Sequence, residues 1–184
     1  GTTCPVPDGS SSCTAISCSP LVVVASPNTS VCNGSSTSIG VSVAGGSGTY
    51  NFSWSGGLPS TSGLHVVSPS TTSTYSVTVS DPGQPTCSDA IDSVNITVLP
   101  FINTTISTTN PTCNGVSDGT ANVSATGGLS PYSYSWNTIP SQSTSISTGL
   151  SSGNYNVTIT DLNGCSSTSG ITIMDPSPMT LTMN

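Results

Sequence analysis

The sequence carries the same ordered set of landmarks twice. The first copy runs Pro20-Leu21, Cys32-Asn33-Gly34, Gly45-Gly46, Tyr50-Asn51-Phe52-Ser53-Trp54, Tyr75-Ser76-Val77-Thr78-Val79-Ser80-Asp81 and Cys87. The second runs Pro100-Phe101, Cys113-Asn114-Gly115, Gly127-Gly128, Tyr132-Ser133-Tyr134-Ser135-Trp136, Tyr155-Asn156-Val157-Thr158-Ile159-Thr160-Asp161 and Cys165. Cysteine to tryptophan spans 22 residues in one copy and 23 in the other, and cysteine to cysteine spans 55 and 52. So many matches in one order exceed what composition produces, so the chain must fold as two similar units in series. A third opening motif, Pro178-Met179-Thr180-Leu181-Thr182-Met183, starts where the sequence ends.

Within each copy the apolar residues alternate with polar ones. Leu21 to Ala25, Ile39-Val41-Val43, Tyr50-Phe52-Trp54, Tyr75-Val77-Val79 and Val94-Ile96-Val98 do so in the first copy. Ala121-Val123-Ala125, Tyr132-Tyr134-Trp136, Ile146, Tyr155-Val157-Ile159 and Ile171-Ile173 do so in the second. A period of two places one face of a strand on a core and the other in water. The Asp161-Leu162-Asn163-Gly164 stretch supplies a hairpin turn, because Asn-Gly accepts positive φ. Serine and threonine occupy 68 of the 184 positions, and Lys, Arg and Glu are absent. Such a chain lacks the residues that build long helices, and an all-β chain with essentially no helix is expected. Six or seven short strands per copy imply a two-sheet sandwich. The expected organisation is a Cys-rich irregular N-terminal connector or cap over 1–19, sandwiches over 20–99 and 100–177, and over 178–184 a strand of a next repeat or a donor strand.

The second copy is specific in its residues. From Pro111-Thr112-Cys113-Asn114-Gly115 through Asp118-Gly119, Gly127-Gly128 and Pro131-Tyr132-Ser133-Tyr134-Ser135-Trp136 to Gly153-Asn154-Tyr155 and Asp161-Leu162-Asn163-Gly164-Cys165, it resembles the SprB-type repeat of Bacteroidota surface adhesins. The first copy resembles an Ig-like or PKD-like relative, but lacks the Asp-Gly after its Cys-Asn-Gly and has a longer loop before Cys87. The resemblance implies tandem Ig-like sandwiches in a secreted, cell-surface array used in adhesion, gliding or filament building.

The formal charge of −7 closes off several functions. Nucleic-acid binding and polybasic membrane attachment both need cationic side chains that this chain does not possess. The longest apolar run, Leu21 to Ala25, is too short to cross a bilayer. The chain opens at Gly1 without a basic and apolar leader, as expected of a processed mature chain or a piece of a longer one.

Seven cysteines in such a chain, without CxxC pairs, read as disulfides of an oxidising, extracellular compartment rather than as a zinc site. Each copy holds one cysteine before its second strand and one after its Tyr-x-Val-x-Val/Ile strand. The expected pairs are therefore Cys32 with Cys87 and Cys113 with Cys165. Cys4, Cys13 and Cys18 lie outside both copies. Two of them are expected to pair locally, leaving the third unpaired or bonded to another chain.

The remaining candidates are weighed against plainer roles. Trp54 and Trp136 suit sandwich centres better than sugar platforms, and Tyr75 and Tyr155 resemble the corner tyrosines of Ig-like sandwiches. His65, the one imidazole, reads as a solvated strand-edge residue. No oriented partner can be named for a catalytic serine, and the seven Asp are scattered with no Glu among them, so no enzyme is expected. Asp118, Asp161 and Asn163 are weak calcium candidates, and Asp89-Ala90-Ile91-Asp92 adds two carboxylates in an expected loop, below the oxygen density of a dedicated site. No other cofactor is implied. Asp92-Ser93-Val94 fits the O-glycan acceptor expected in Bacteroidota-like proteins and makes Ser93 the glycosylation candidate. The leading reading is a structural element of an extracellular fibre or adhesin that associates head to tail. The alternative is a glycan- or calcium-dependent binding module.

Overall fold

A computed structural model describes residues 18–178. It contains fourteen strands and, among the described residues, no helix. Two compact units divide the chain, one comprising Gly1–Ser30 and Ser35–Thr97, the other Val31–Gly34 and Val98–Asn184. The short Val31–Gly34 segment thus belongs by sequence to the first repeat and by contacts to the second unit.

The first eight strands, of which β2 and β8 run at their ends into the second unit, are β1 (Val22–Ala25), β2 (Thr29–Cys32), β3 (Thr37–Ile39), β4 (Val41–Ala44), β5 (Asn51–Trp54), β6 (His65–Val67), β7 (Ser73–Ser80) and β8 (Ala90–Leu99). They form sheets β1-β4, β3-β6 and β2-β8-β7-β5. Alternation along β7 and β8 buries Val77, Val79, Val94 and Ile96 completely, and leaves their Ser and Thr neighbours toward water. The Ile39-Val41-Val43 alternation is broken into two strands that join different sheets, β3 with β6 and β4 with β1. Gly40 is the break. Its carbonyl accepts the Ser26 N–H at 3.0 Å and its N–H donates to Ser26 Oγ at 2.8 Å, so Ser26 takes the place of a ladder partner there.

The second unit holds β9 (Ile102–Thr109), β10 (Gly119–Gly127), β11 (Ser133–Trp136), β12 (Ile146–Leu150), β13 (Gly153–Thr160) and β14 (Ser166–Ile173). Its two three-stranded sheets, β12-β10-β9 and β11-β13-β14, are antiparallel throughout. Between them lie Ile102, Ala121, Val123, Trp136, Leu150, Val157, Ile159 and Ile173. β9 is a Thr-rich strand with few apolar residues, held by its full ladder to β10.

His65 corrects the sequence expectation. It is only 6% exposed, its ring centroid lies 5.2 Å from that of Trp54 edge-on, and its Nε2 is 3.3 Å from the Thr61 carbonyl. The cause is parity: His65 and Val67 share the inner face of β6, so Val66 takes the outer one and is 69% exposed. Asp92, expected in a loop, instead lies on β8 and accepts the Ala25 N–H at 2.8 Å.

The disulfides are corrected as well. Cys18 bonds Cys87 and Cys32 bonds Cys165, while Cys113 is an exposed free thiol. Neither Cys32–Cys87 nor Cys113–Cys165 forms. Cys18 therefore does not pair with another N-terminal cysteine. Cys4, Cys13 and the expected strand at Met179 to Met183 lie outside the described residues.

Candidate functional site

The repeated landmarks converge on one cluster in each unit. In the second, Asp161 ends β13 with its carboxylate buried. Its Oδ2 accepts the Leu129 N–H at 3.0 Å and its Oδ1 the Cys165 N–H at 2.9 Å, tying the Gly127-Gly128 loop to the hairpin that carries the cysteine. In the first, Asp81 accepts the Ser47 N–H at 2.6 Å, the Ser47 hydroxyl at 2.5 Å, the Gly83 N–H at 2.9 Å and Gln84 Nε2 at 3.2 Å. The Ser47 hydroxyl is the main reason that the Asp81 carboxyl is held below its ordinary range, against the opposing effect of burial.

The paired glycines have separate jobs. Gly45 and Gly127 have φ of 83° and 75° and sit where a Cβ would overlap the carbonyl oxygens of Pro20 and Phe101. Gly46 and Gly128, with φ of 67° and 60°, sit against the Asp81 and Asp161 carboxylates. The first tyrosine of each aromatic strand closes the arrangement: Tyr50 donates its hydroxyl to the Gly45 carbonyl at 2.6 Å, and Tyr132 donates to that of Gly127. These roles were missed from sequence, although the recurrence of Gly-Gly, Tyr and Asp in fixed order was the signal.

Trp54 and Trp136 are 7% and 2% exposed, and their indole N–H groups donate to the carbonyls of Thr61 at 3.1 Å and Thr144 at 2.9 Å. They fill interiors and present no sugar platform. Tyr155 bonds the Ser151 carbonyl at 3.0 Å, four residues upstream.

The calcium candidates stay apart. Asp118 accepts the Thr112 hydroxyl at 2.6 Å and the Thr112 N–H at 2.9 Å, which pulls its carboxyl below the usual range, and Asp161 is spent on its own hairpin. Asn163 is exposed in the turn. Among the described residues no group of three or more His, Cys, Asp or Glu is placed to hold a metal ion. Ser93 is exposed on β8, with its N–H bonded to Asp92 Oδ1 at 2.8 Å.

Residues 105–140, most of β9 to just past β11, match the SprB repeat family. The second unit carries a SprB-type repeat. No curated protein sequence matches the chain. Among solved structures, a 282-residue C-terminal fragment of intimin, crystallised with the intimin-binding domain of the translocated intimin receptor, is similar with 17% identity and a TM-score of 0.45 over 84% of this chain and 64% of the fragment. The four N-terminal Ig domains of a Dscam1 isoform align with 13% identity and a TM-score of 0.34, over 85% of this chain and 48% of theirs. Fibronectin(III)-like modules of Clostridium thermocellum CbhA align with 14% identity and a TM-score of 0.35, over 84% of this chain and 94% of theirs. This chain thus spans under two thirds of the intimin fragment and about half of the Dscam1 chain. No helix among the described residues is long and apolar enough to cross a membrane.

Proposed function

We propose that this chain is a stretch of a surface adhesin, built from tandem Ig-like units outside the cell and associating head to tail into a fibre. The observation that carries the reading is the SprB match at residues 105–140, inside a unit whose landmarks recur in the preceding one. The repeated residues support a mechanical role. Gly-Gly, Tyr, Trp and Asp hold loops and interiors together. A series of such units transmits load and distance, each contacting only its neighbours.

The sequence of the third opening motif supports the self-association reading. Met179, Leu181 and Met183 alternate with threonines, and a strand with an apolar face and unpaired backbone groups associates unless another strand covers it. A head-to-tail contact that does not close generates a filament. Ser93, exposed beside Asp92, is the proposed O-glycan site.

Two measurements test this. Antibodies against the second unit should label intact, unpermeabilised cells that express the native protein, and labelling only after permeabilisation would sink the surface assignment. Purified chain should form filaments in electron micrographs, whereas a chain lacking Pro178 to Asn184 should remain as folded monomers. A compact monomer from the intact chain would count against the fibre, and unchanged filaments from the truncation would remove donor-strand assembly.

A further inference from the structure

The disulfides connect the repeats in a pattern that leaves one position open. In the alignment of the two copies, Cys32 corresponds to Cys113 and Cys87 to Cys165. No bond joins the two cysteines of a single copy. Instead, the Cys-Asn-Gly cysteine of the first copy, Cys32, is bonded to the hairpin cysteine of the second, Cys165. The hairpin cysteine of the first copy, Cys87, is taken by Cys18, from the segment ahead of it. Cys113 is the counterpart of Cys32, and it is exposed and free.

The surroundings of the two turns agree. Cys32 and Asn33 line a hollow of about 130 Å³ together with Pro100, Phe101 and Cys165, at the opening motif of the second copy. In the second copy Asn114 Nδ2 lies 3.5 Å from the Pro176 carbonyl, and Asn110 Oδ1 accepts the Met174 N–H at 3.1 Å. The Cys113 turn therefore stands beside the segment that leads into Pro178. Pro20, Pro100 and Pro178 head successive opening motifs, 80 and 78 residues apart. The first turn thus lies beside the opening motif of the copy after its own, and the second beside the segment that precedes Pro178.

We propose that Cys113 is half of an inter-repeat disulfide, its partner being the hairpin cysteine, at the Cys165 position, of a SprB-type unit that follows. The bond that its counterpart Cys32 makes with Cys165 names the chemistry of the partner. Formation removes two protons and two electrons from two thiols. The oxidant is a disulfide donor, such as a thiol oxidase in the cell or oxidised glutathione in a test. Cys113 thiolate attacks one donor sulfur and releases the other as thiolate, and the partner thiolate then displaces the remaining donor sulfur to leave the protein disulfide and two reduced donor thiols. Such links would make each repeat a covalent clasp on the next, a device suited to a chain that has no lysine for side-chain amide crosslinks.

The proposal rests on the tandem-array reading, so the test supplies the following unit directly and its failure leaves that reading standing. Residues 1–177 are joined to a second copy of residues 100–184. The appended copy carries Cys113→Ser, so that one Cys113 remains, and Leu162→Val, which marks its Cys165 peptide by mass. After oxidation with oxidised glutathione, alkylation and peptic digestion, Cys113 should be found joined to the marked Cys165 peptide, and Cys32 to the unmarked one. Cys113 found alkylated, or bonded to Cys4, Cys13 or the unmarked Cys165, overturns the proposal. Should the appended copy not fold, native protein alkylated on intact cells without reductant gives the second reading. Cys113 must resist alkylation until a reductant is added, and immediate labelling overturns the proposal.

Discussion

Gly128 packs so closely on Asp161 that a Cβ at the glycine would stand 2.7 Å from the carboxylate Oδ2, and Gly46 stands in the same relation to Asp81 at 2.6 Å. Both glycines also occupy the left-handed region, which side chains enter at a cost of about 1–2 kcal/mol before any overlap is counted. Gly128→Ala should therefore destabilise the second unit by at least about 2 kcal/mol, and Gly46→Ala the first by a similar amount. Gly115→Ala is the control, since it shares the positive φ but a Cβ there meets nothing within 4 Å. Urea denaturation checks the ranking; equal losses at Gly115 and Gly128 would show that the carboxylate contact is unimportant.

The bond map predicts that the cysteines are unequal. Cys32→Ser and Cys165→Ser open the same loop of 133 residues, for which chain entropy alone suggests a loss of roughly 5 kcal/mol. The double variant should be no worse than either single one. Cys113→Ser should leave the melting temperature of the 184-residue chain unchanged, because its thiol is free. A Cys113→Ser loss as large as that of Cys165→Ser would restore the pairing within the second copy.

The indoles can be tested by halves. Trp136→Phe retains most of the apolar volume but leaves the Thr144 carbonyl without its donor, a loss of about 1–3 kcal/mol, and Trp136→Ala adds a cavity for a total nearer 3–5 kcal/mol. Trp54→Phe should be the more damaging of the two Phe changes, because the Trp54 ring also supports buried His65. Calorimetry on the purified variants decides the order.

Stability should fall in acid. The Asp81, Asp92 and Asp118 carboxyls are held below their ordinary value of 3.8, chiefly by the Ser47 hydroxyl, the Ala25 N–H and the Thr112 hydroxyl in turn. Their stabilisation is complete above 3.8 and is lost as the pH drops toward the lower folded values, because the unfolded chain takes up protons first. The melting temperature should stay level from about pH 7 to about pH 5 in these groups' contribution and decline below about pH 4. Asp118→Asn should make that decline shallower, and an unchanged slope would argue against the Thr112 bonds.

Much of the fold is set by local pattern. A period of two marked strands such as β7, β10 and β13, because alternation alone separates a buried from a wet face, and the recurrence of landmarks announced two units in series. Trp54 and Trp136 were legible as interior residues for the same reason. What only the tertiary structure decided depends on partners that alternation does not name. At His65 the sequence suggested a strand-edge residue in water, but which face of β6 turns inward follows from its pairing with β3, where His65 stands opposite Ile39. At Gly40 an unbroken alternation hid a change of sheet made by Ser26, 14 residues away. At the cysteines, one half-site before and one after the central strands fits closure within a repeat as well as linkage between repeats. Sequence spacing measures only the length of the loop, whereas the bond forms where the folded backbone brings two sulfurs together, which for Cys32 is at Cys165.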